Sequence, residues 1–166
     1  MITAEIDIVP VAEISASIPS EELASLVRYA LGAGGAVGAW SIAVVLTTDA
    51  HVRDLHRQFM GIDQETDVMT FPHGEGIGSV ERGGDIVISV ERAAAQGPEH
   101  GQTTREEVEF LAVHGVLHLC GWNDETPEQR ERMLLRQTEI IRAFSSAALL
   151  TDAKQRAAED IGRGQA

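Results

Sequence analysis

The chain has 166 residues, with 13 Lys and Arg against 26 Asp and Glu, a formal net charge of −13. That length suits one domain with a continuous core, and that charge excludes non-specific nucleic-acid binding through a broad basic surface, so any RNA must be met by a local patch. A single cysteine, Cys120, excludes an intrachain disulfide and fits a reducing compartment; with no long apolar run and no basic segment leading into one at the N-terminus, the sequence predicts a soluble, unexported, cytoplasmic protein.

Residues 4–9 alternate apolar and polar, the pattern of a strand with one wet face. A helix start is predicted at residues 17–20: Pro19 and Ser20 precede the acids Glu21 and Glu22, and Leu23, Leu26, Val27, Ala30 and Leu31 recur at helical spacing. The glycine-rich run 32–38 breaks this helix. Because it follows a helix rather than a strand, and lacks the Lys-Ser/Thr of a phosphate loop, it reads as a connection. Residues 40–47 form a β-rich apolar run, a central strand. Thr48 or Asp49 caps the next helix, whose apolar stripe is Val52, Leu55, Phe59 and Met60, with Arg53, Asp54 and Arg57 facing elsewhere. Beyond Gly61 the sequence predicts a loop and a short strand, Val68–Pro72, ended by its proline. A polar, glycine-rich segment 73–83 has the character of a flexible hairpin connection, and residues 84–90 form a fourth strand. Residues 91–96 make a short helix closed by Gly97-Pro98.

Thr103 or Thr104 opens the most apolar helix, with Glu106 and Glu107 in its first turn and Val108, Leu111, Ala112, Gly115 and Leu119 packing into the core. It runs into His114-Gly115-Val116-Leu117-His118-Leu119-Cys120-Gly121-Trp122-Asn123-Asp124. Residues four apart lie one turn apart on one face, so His114 and His118 can aim ring nitrogens at a single ion. Gly121 accepts the left-handed conformation that ends helices, and the returning chain can offer Asp124 as a third ligand. A lone histidine among apolar residues is usually a hydrogen-bonded core or surface side chain; two at this spacing, with a glycine stop and a carboxylate, point to a metal. Two His and one carboxylate suit one zinc ion per chain, and three protein ligands leave a position for water, the mark of a catalytic site. Cys120, about 200° around the helix from His118, should face away from that ion and pack in the core.

Pro127 opens the last helix, 128 to about 150, with Met133, Leu134, Ile140, Ile141 and Phe144 as its buried side; the small and charged residues from Thr151 predict a frayed tail, 151–166. The chain thus reads as a single α+β domain over 1–150, with about four strands in a mixed sheet packed on about five helices and a metal site at the end of a buried helix. Candidates for an RNA-binding patch are Arg53 and Arg57, Arg82, Arg92 and Arg105, with Arg130, Arg132 and Arg136 further on. For any one of them a mixed-charge solvated face is the preferred reading.

In the order of these elements and in three blocks of residues the chain resembles the YbeY family, bacterial single-domain metal-dependent endoribonucleases of ribosomal RNA maturation. The family signature His-Gly-x-Leu-His-Leu-x-Gly-Tyr/Phe-Asp-His is matched at His114, Gly115, Leu117, His118, Leu119 and Gly121. Thr-Asp-Val-Leu-Ser-Phe-Pro stands here as Thr66-Asp67-Val68-Met69-Thr70-Phe71-Pro72, and Gly-Asp-Ile-x-Ile as Gly84-Asp85-Ile86-Val87-Ile88. Two departures stand out. Asp124, preceded by Asn123, replaces the family's third histidine, and Met60 replaces an arginine just before the glycine at Gly61.

The resemblance implies a zinc ion on His114, His118 and Asp124, single-stranded ribosomal RNA precursors as substrate, the small ribosomal subunit or its proteins as partners, and neither DNA nor membrane. A carboxylate in place of imidazole lowers the charge of the site and makes bound water a weaker acid. The missing arginine removes a cation from the transferring phosphoryl group, and Arg57 or Arg53, one and two turns back, would have to substitute. On this reading Arg57 positions phosphate, while Asp85, with Thr66 or Asp67, shapes the cleft. Asp67 and Asp85 fit equally well as partners of loop backbone amides.

Two other functions compete. A zinc peptidase shares His-x-x-x-His-x-x-Gly-x-x-His/Asp but places its general base, a glutamate, where Gly115 stands. A non-catalytic metal-binding ribosome-assembly factor would have lost hydrolysis with the arginine.

Overall fold

Alternation along the strands decides which helix covers which face of the sheet. The computed structural model describes residues 2–11, 13, 17–73 and 82–164. Its elements are β1 (Ile2–Pro10), α1 (Ser20–Ala33), β2 (Gly38–Thr47), α2 (Asp49–Met60), β3 (Val68–Pro72), β4 (Arg82–Ser89), α3 (Val90–Gln96), a 3-10 turn (Pro98–His100), α4 (Thr104–Leu119) and α5 (Pro127–Arg163). The strands form one sheet in the order β1-β2-β4-β3. The first three are parallel, and β3 is antiparallel at the edge. This is the expected α+β domain: four strands, mixed, with five helices. Residues 74–81, most of the predicted hairpin connection, lie outside the described residues.

In β2 and β4 the even-numbered residues Ile42, Val44, Leu46, Ile86 and Ile88 are buried in one cluster with Leu23, Leu26 and Val27 of α1 and Val108, Ala112 and Val116 of α4. A large apolar side chain buried in this way contributes roughly 1.5–3 kcal/mol. Two glycines set how closely α4 approaches the sheet. A Cβ on Gly115 would lie 2.7 Å from Ile86 Cγ2, and one on Gly84 would lie 2.6 Å from Leu119 Cδ2 and 2.5 Å from the Phe71 carbonyl oxygen. The end of α4 therefore rests directly on β4 and β3. Its start is fixed by a capping box, Thr103 Oγ1 accepting from Glu106 N at 3.1 Å and Glu106 Oε1 accepting from Thr103 N at 3.3 Å.

On the opposite face α2 packs over the corner formed by β3 and β4. Asp85 alternates with Gly84 and Ile86, which face α4, so its side chain points away from α4. Phe71, the register partner of Asp85, meets Phe59 of α2 edge-on at 5.0 Å. Because α2 covers only this corner, Val52 alone of its predicted stripe is buried, while Phe59 and Met60 are 63% and 62% exposed.

The last helix also departs from expectation. It buries Met133, Gln137 and Ile140, leaves Leu134 half exposed, and continues to Arg163 instead of ending near residue 150. Leu134 lies 100° round from Met133, off the contact stripe. Residues 151–163 are helical and all exposed.

Candidate metal centre

The end of α4 is built so that two imidazoles and a carboxylate converge. Gly121, at φ +96°, terminates the helix: its N–H donates to His118 O at 3.0 Å, and the Trp122 N–H donates to Leu117 O at 3.0 Å. This pair of bonds is a Schellman stop, which glycine accommodates without strain. The reversal does two things for the site. It returns Asp124 toward α4, and it places the Trp122 carbonyl 3.0 Å from His118 Nδ1.

A carbonyl oxygen only accepts, so His118 carries its proton on Nδ1 and keeps a lone pair on Nε2. His114 is fixed from the other side by α5. Gln137 Nε2 donates to Phe110 O at 3.3 Å, which leaves Gln137 Oε1 to accept from His114 Nδ1 at 3.1 Å. In the neutral rings both Nε2 atoms thus carry the lone pair, and they face each other at 3.0 Å, with Asp124 Oδ2 at 3.4 Å from His114 and 3.3 Å from His118. Among the described residues these three form a group able to hold a metal ion. Three electron-pair donors so close repel unless a proton or a metal cation stands among them. Tetrahedral zinc with bonds of about 2.0–2.1 Å separates its ligand atoms by roughly 3.3 Å. The donor set fits such an ion, with each histidine oriented by a second partner.

The three residues open onto a cleft of about 480 Å³ running along the edge strand, between α4 and the end of α2. Thr66, Asp67, Val68, Met69, Thr70 and Pro72 form its floor, and His56 and Met60 form the α2 wall. Asp67 is held by Gln96, whose Nε2 donates to Asp67 Oδ2 at 3.0 Å and to buried Glu107 Oε1 at 2.9 Å. The Asp67 side chain therefore bonds an amide side chain rather than loop backbone, and both it and Thr66 line the cleft.

The other two expected residues lie elsewhere. Arg57 pairs with Asp54 and lines a neighbouring depression with Arg53, Asp63 and Glu65. One residue past His56, it is rotated 100° off the cleft wall. Asp85 lies on the α2 face of the sheet, 3.2 Å from His73 Nε2. The candidate cationic patch is largely neutralised as well: Arg53, Arg92, Arg105 and Arg136 each pair with a carboxylate, and the bond and charge of Arg53 hold Asp63 below the usual carboxylate range.

Cys120 packs its Sγ toward Gly34, at 2.9 Å from where a Cβ there would stand, away from the ion site as expected. Burial raises its thiol above the ordinary value. Sequence reading passed over two residues. His56 carries a signal, since it stands four before Met60 and shares its helix face. Gln137 carries one too, as a polar residue in register with Met133 and Ile140.

Comparison with known proteins adds an independent line. The pattern of the family described as Endoribonuclease YbeY matches residues 11–145. A Symbiobacterium thermophilum protein named Endoribonuclease YbeY is 40% identical over 117 residues, 66% of this chain and 75% of its own. A Roseiflexus protein of the same name is 33% identical over 150 residues, 86% of this chain and 92% of its own. The solution structure of TM1509 from Thermotoga maritima matches with a TM-score of 0.56 at 24% identity, over 86% of this chain and 93% of that one, a likeness of fold.

Proposed function

The chain belongs to the YbeY family of endoribonucleases, and from that premise we propose a metal-dependent endoribonuclease specific for single-stranded RNA, acting in ribosomal RNA maturation in the cytoplasm. A nuclease of the hydrolase class follows from the relatives' names. Metal dependence is supported by one observation, the convergence of the His114 and His118 Nε2 atoms, 3.0 Å apart, beside Asp124 Oδ2. His114, His118 and Asp124 would hold the ion, and their chemistry suits zinc. A divalent ion there supplies a Lewis acid that acidifies water and polarises a phosphoryl oxygen.

The chain's own residues prepare that site. Gln137 and the Trp122 carbonyl keep protons on the Nδ1 atoms, Gln96 holds Asp67 at the cleft floor, and the open side admits an extended strand. Ribosomal RNA precursors are the proposed substrate, with the small ribosomal subunit or its proteins as partners, and residues 1–150 as the working domain. Peptide hydrolysis finds no support here, because the position for its glutamate is Gly115, pressed on Ile86.

His114→Ala is expected to lose bound zinc and RNA cleavage together. Cleavage persisting in metal-free protein would refute the metal mechanism. A second reading, a metal-binding ribosome-assembly factor without cleavage, is favoured by one feature: no Lys or Arg lines the cleft among the described residues. Met60→Arg giving no gain in cleavage by a protein that still co-sediments with small subunits would favour that second reading.

A further inference from the structure

The α2 wall of the cleft carries a histidine with no part in the metal centre. His56 Nδ1 lies 2.8 Å from the Gln64 carbonyl oxygen, in the loop that leads to Thr66 and Asp67. Since that oxygen only accepts, the proton sits on Nδ1, and Nε2 of the neutral ring keeps its lone pair. Nε2 makes no hydrogen bond among the described residues. Nor does His56 belong to the group that gathers round the ion site. Of the other side chains lining the cleft, Met60 can neither give nor take a proton, the Asp67 carboxylate is tied by Gln96 Nε2 at 3.0 Å, and the imidazoles of His114 and His118 are turned to each other and to Asp124. His56 is therefore a basic nitrogen of fixed tautomer, on the cleft wall and unused within the protein.

We propose that His56 is the proton acceptor for phosphodiester hydrolysis in this cleft, a catalytic role that rests on the endoribonuclease reading above. Nε2 takes a proton from the attacking water as its oxygen bonds to phosphorus. The bond from phosphorus to the departing ribose oxygen breaks, and that oxygen takes a proton from solvent water. The imidazolium then returns its proton to the hydroxide left behind. The bond to Gln64 keeps the ring in the reactive tautomer throughout, as a carboxylate or carbonyl does for other catalytic histidines.

A tether and a base are separable by substitution. His56→Asn places an amide N–H near the position of Nδ1, which keeps the bond to Gln64, and removes Nε2. In the zinc-loaded full chain, kcat on a single-stranded RNA should fall by about 10²-fold or more while KM and zinc content hold. Added imidazole should restore part of the activity of His56→Ala and leave that of the wild type unimproved. In metal-free wild-type protein, the ring nitrogen resonances of His56 should move when a 2′-O-methyl single-stranded oligonucleotide is added. A kcat for His56→Asn within about threefold of wild type would overturn the proposal and leave the endoribonuclease reading standing. Ring resonances that ignore the oligonucleotide would overturn it independently of any turnover. Zinc-loaded wild type that cleaves no RNA would overturn both.

Discussion

Gln137→Leu tests whether the protein, and not the ion alone, sets the state of His114. Gln137 is 1% exposed, and its amide is oriented by the Phe110 carbonyl, so that Oε1 faces His114 Nδ1 at 3.1 Å. With leucine there, Nδ1–H has no acceptor, and the ring gains by shifting its proton to Nε2, the atom that must stay bare for a metal. Loss of such a supporting partner costs about 10–100-fold in metal affinity, which is roughly 1.4–2.8 kcal/mol. The fold itself should be little affected. Phe110 O keeps its bond from the backbone N–H four residues on, and leucine restores apolar contact in the buried slot. Competition for zinc against a chromophoric chelator reads the affinity, and thermal melts of the metal-free proteins read the stability. Gln137→Glu supplies the comparison: it gives up the bond to Phe110 O at some cost in stability, but its carboxylate still accepts from Nδ1–H, with a stronger bond, and should hold zinc more tightly than Gln137→Leu does. A folded Gln137→Leu protein that binds zinc within about twofold of wild type would show that α5 does not orient the ligand.

Three further outcomes are expected. Gly115→Ala should lower stability by about 1–3 kcal/mol, because the new Cβ meets Ile86 Cγ2 at 2.7 Å; an unchanged Tm would contradict the close seating of α4 on β4. Ending the chain at Leu150 removes only exposed helix among the described residues, so Tm should move by less than about 2 °C and RNA cleavage should persist. Burial raises the folded thiol of Cys120 above its unfolded value, so its contribution to stability is complete below the ordinary thiol pKa and is lost as pH climbs through the folded one. At mildly alkaline pH it should react with a disulfide reagent more slowly in native than in urea-unfolded protein; equal rates would count against its burial.

The candidate metal centre was legible because it is local. His114, His118 and Asp124 fall within eleven residues, joined by one helix turn and one glycine stop, and both devices follow from backbone geometry whatever surrounds them. The start of α4 at Thr103 or Thr104 and the end of β3 at Pro72 were legible for the same reason. The walls of the cleft were not. Periodicity tells which residues share a face and is silent on what that face meets. Phe59 and Met60 belong to an apolar stripe, yet they stand in solvent because α2 covers only a corner of the sheet beside its edge strand.

The same limit applied to the polar groups. Gln137 is 23 positions from the histidine it orients, and no local pattern joins them. Arg57 lies one position from His56, and the rotation between them sends one toward Asp54 and the other to the cleft. By itself, then, the sequence determined the elements, their order and the three converging candidate ligands, all consequences of helix and strand period and of where glycine and proline stop them. Tertiary packing decided which tautomers the ligands adopt and which side chains complete the cleft, because both depend on groups that only the folded chain brings within hydrogen-bonding distance.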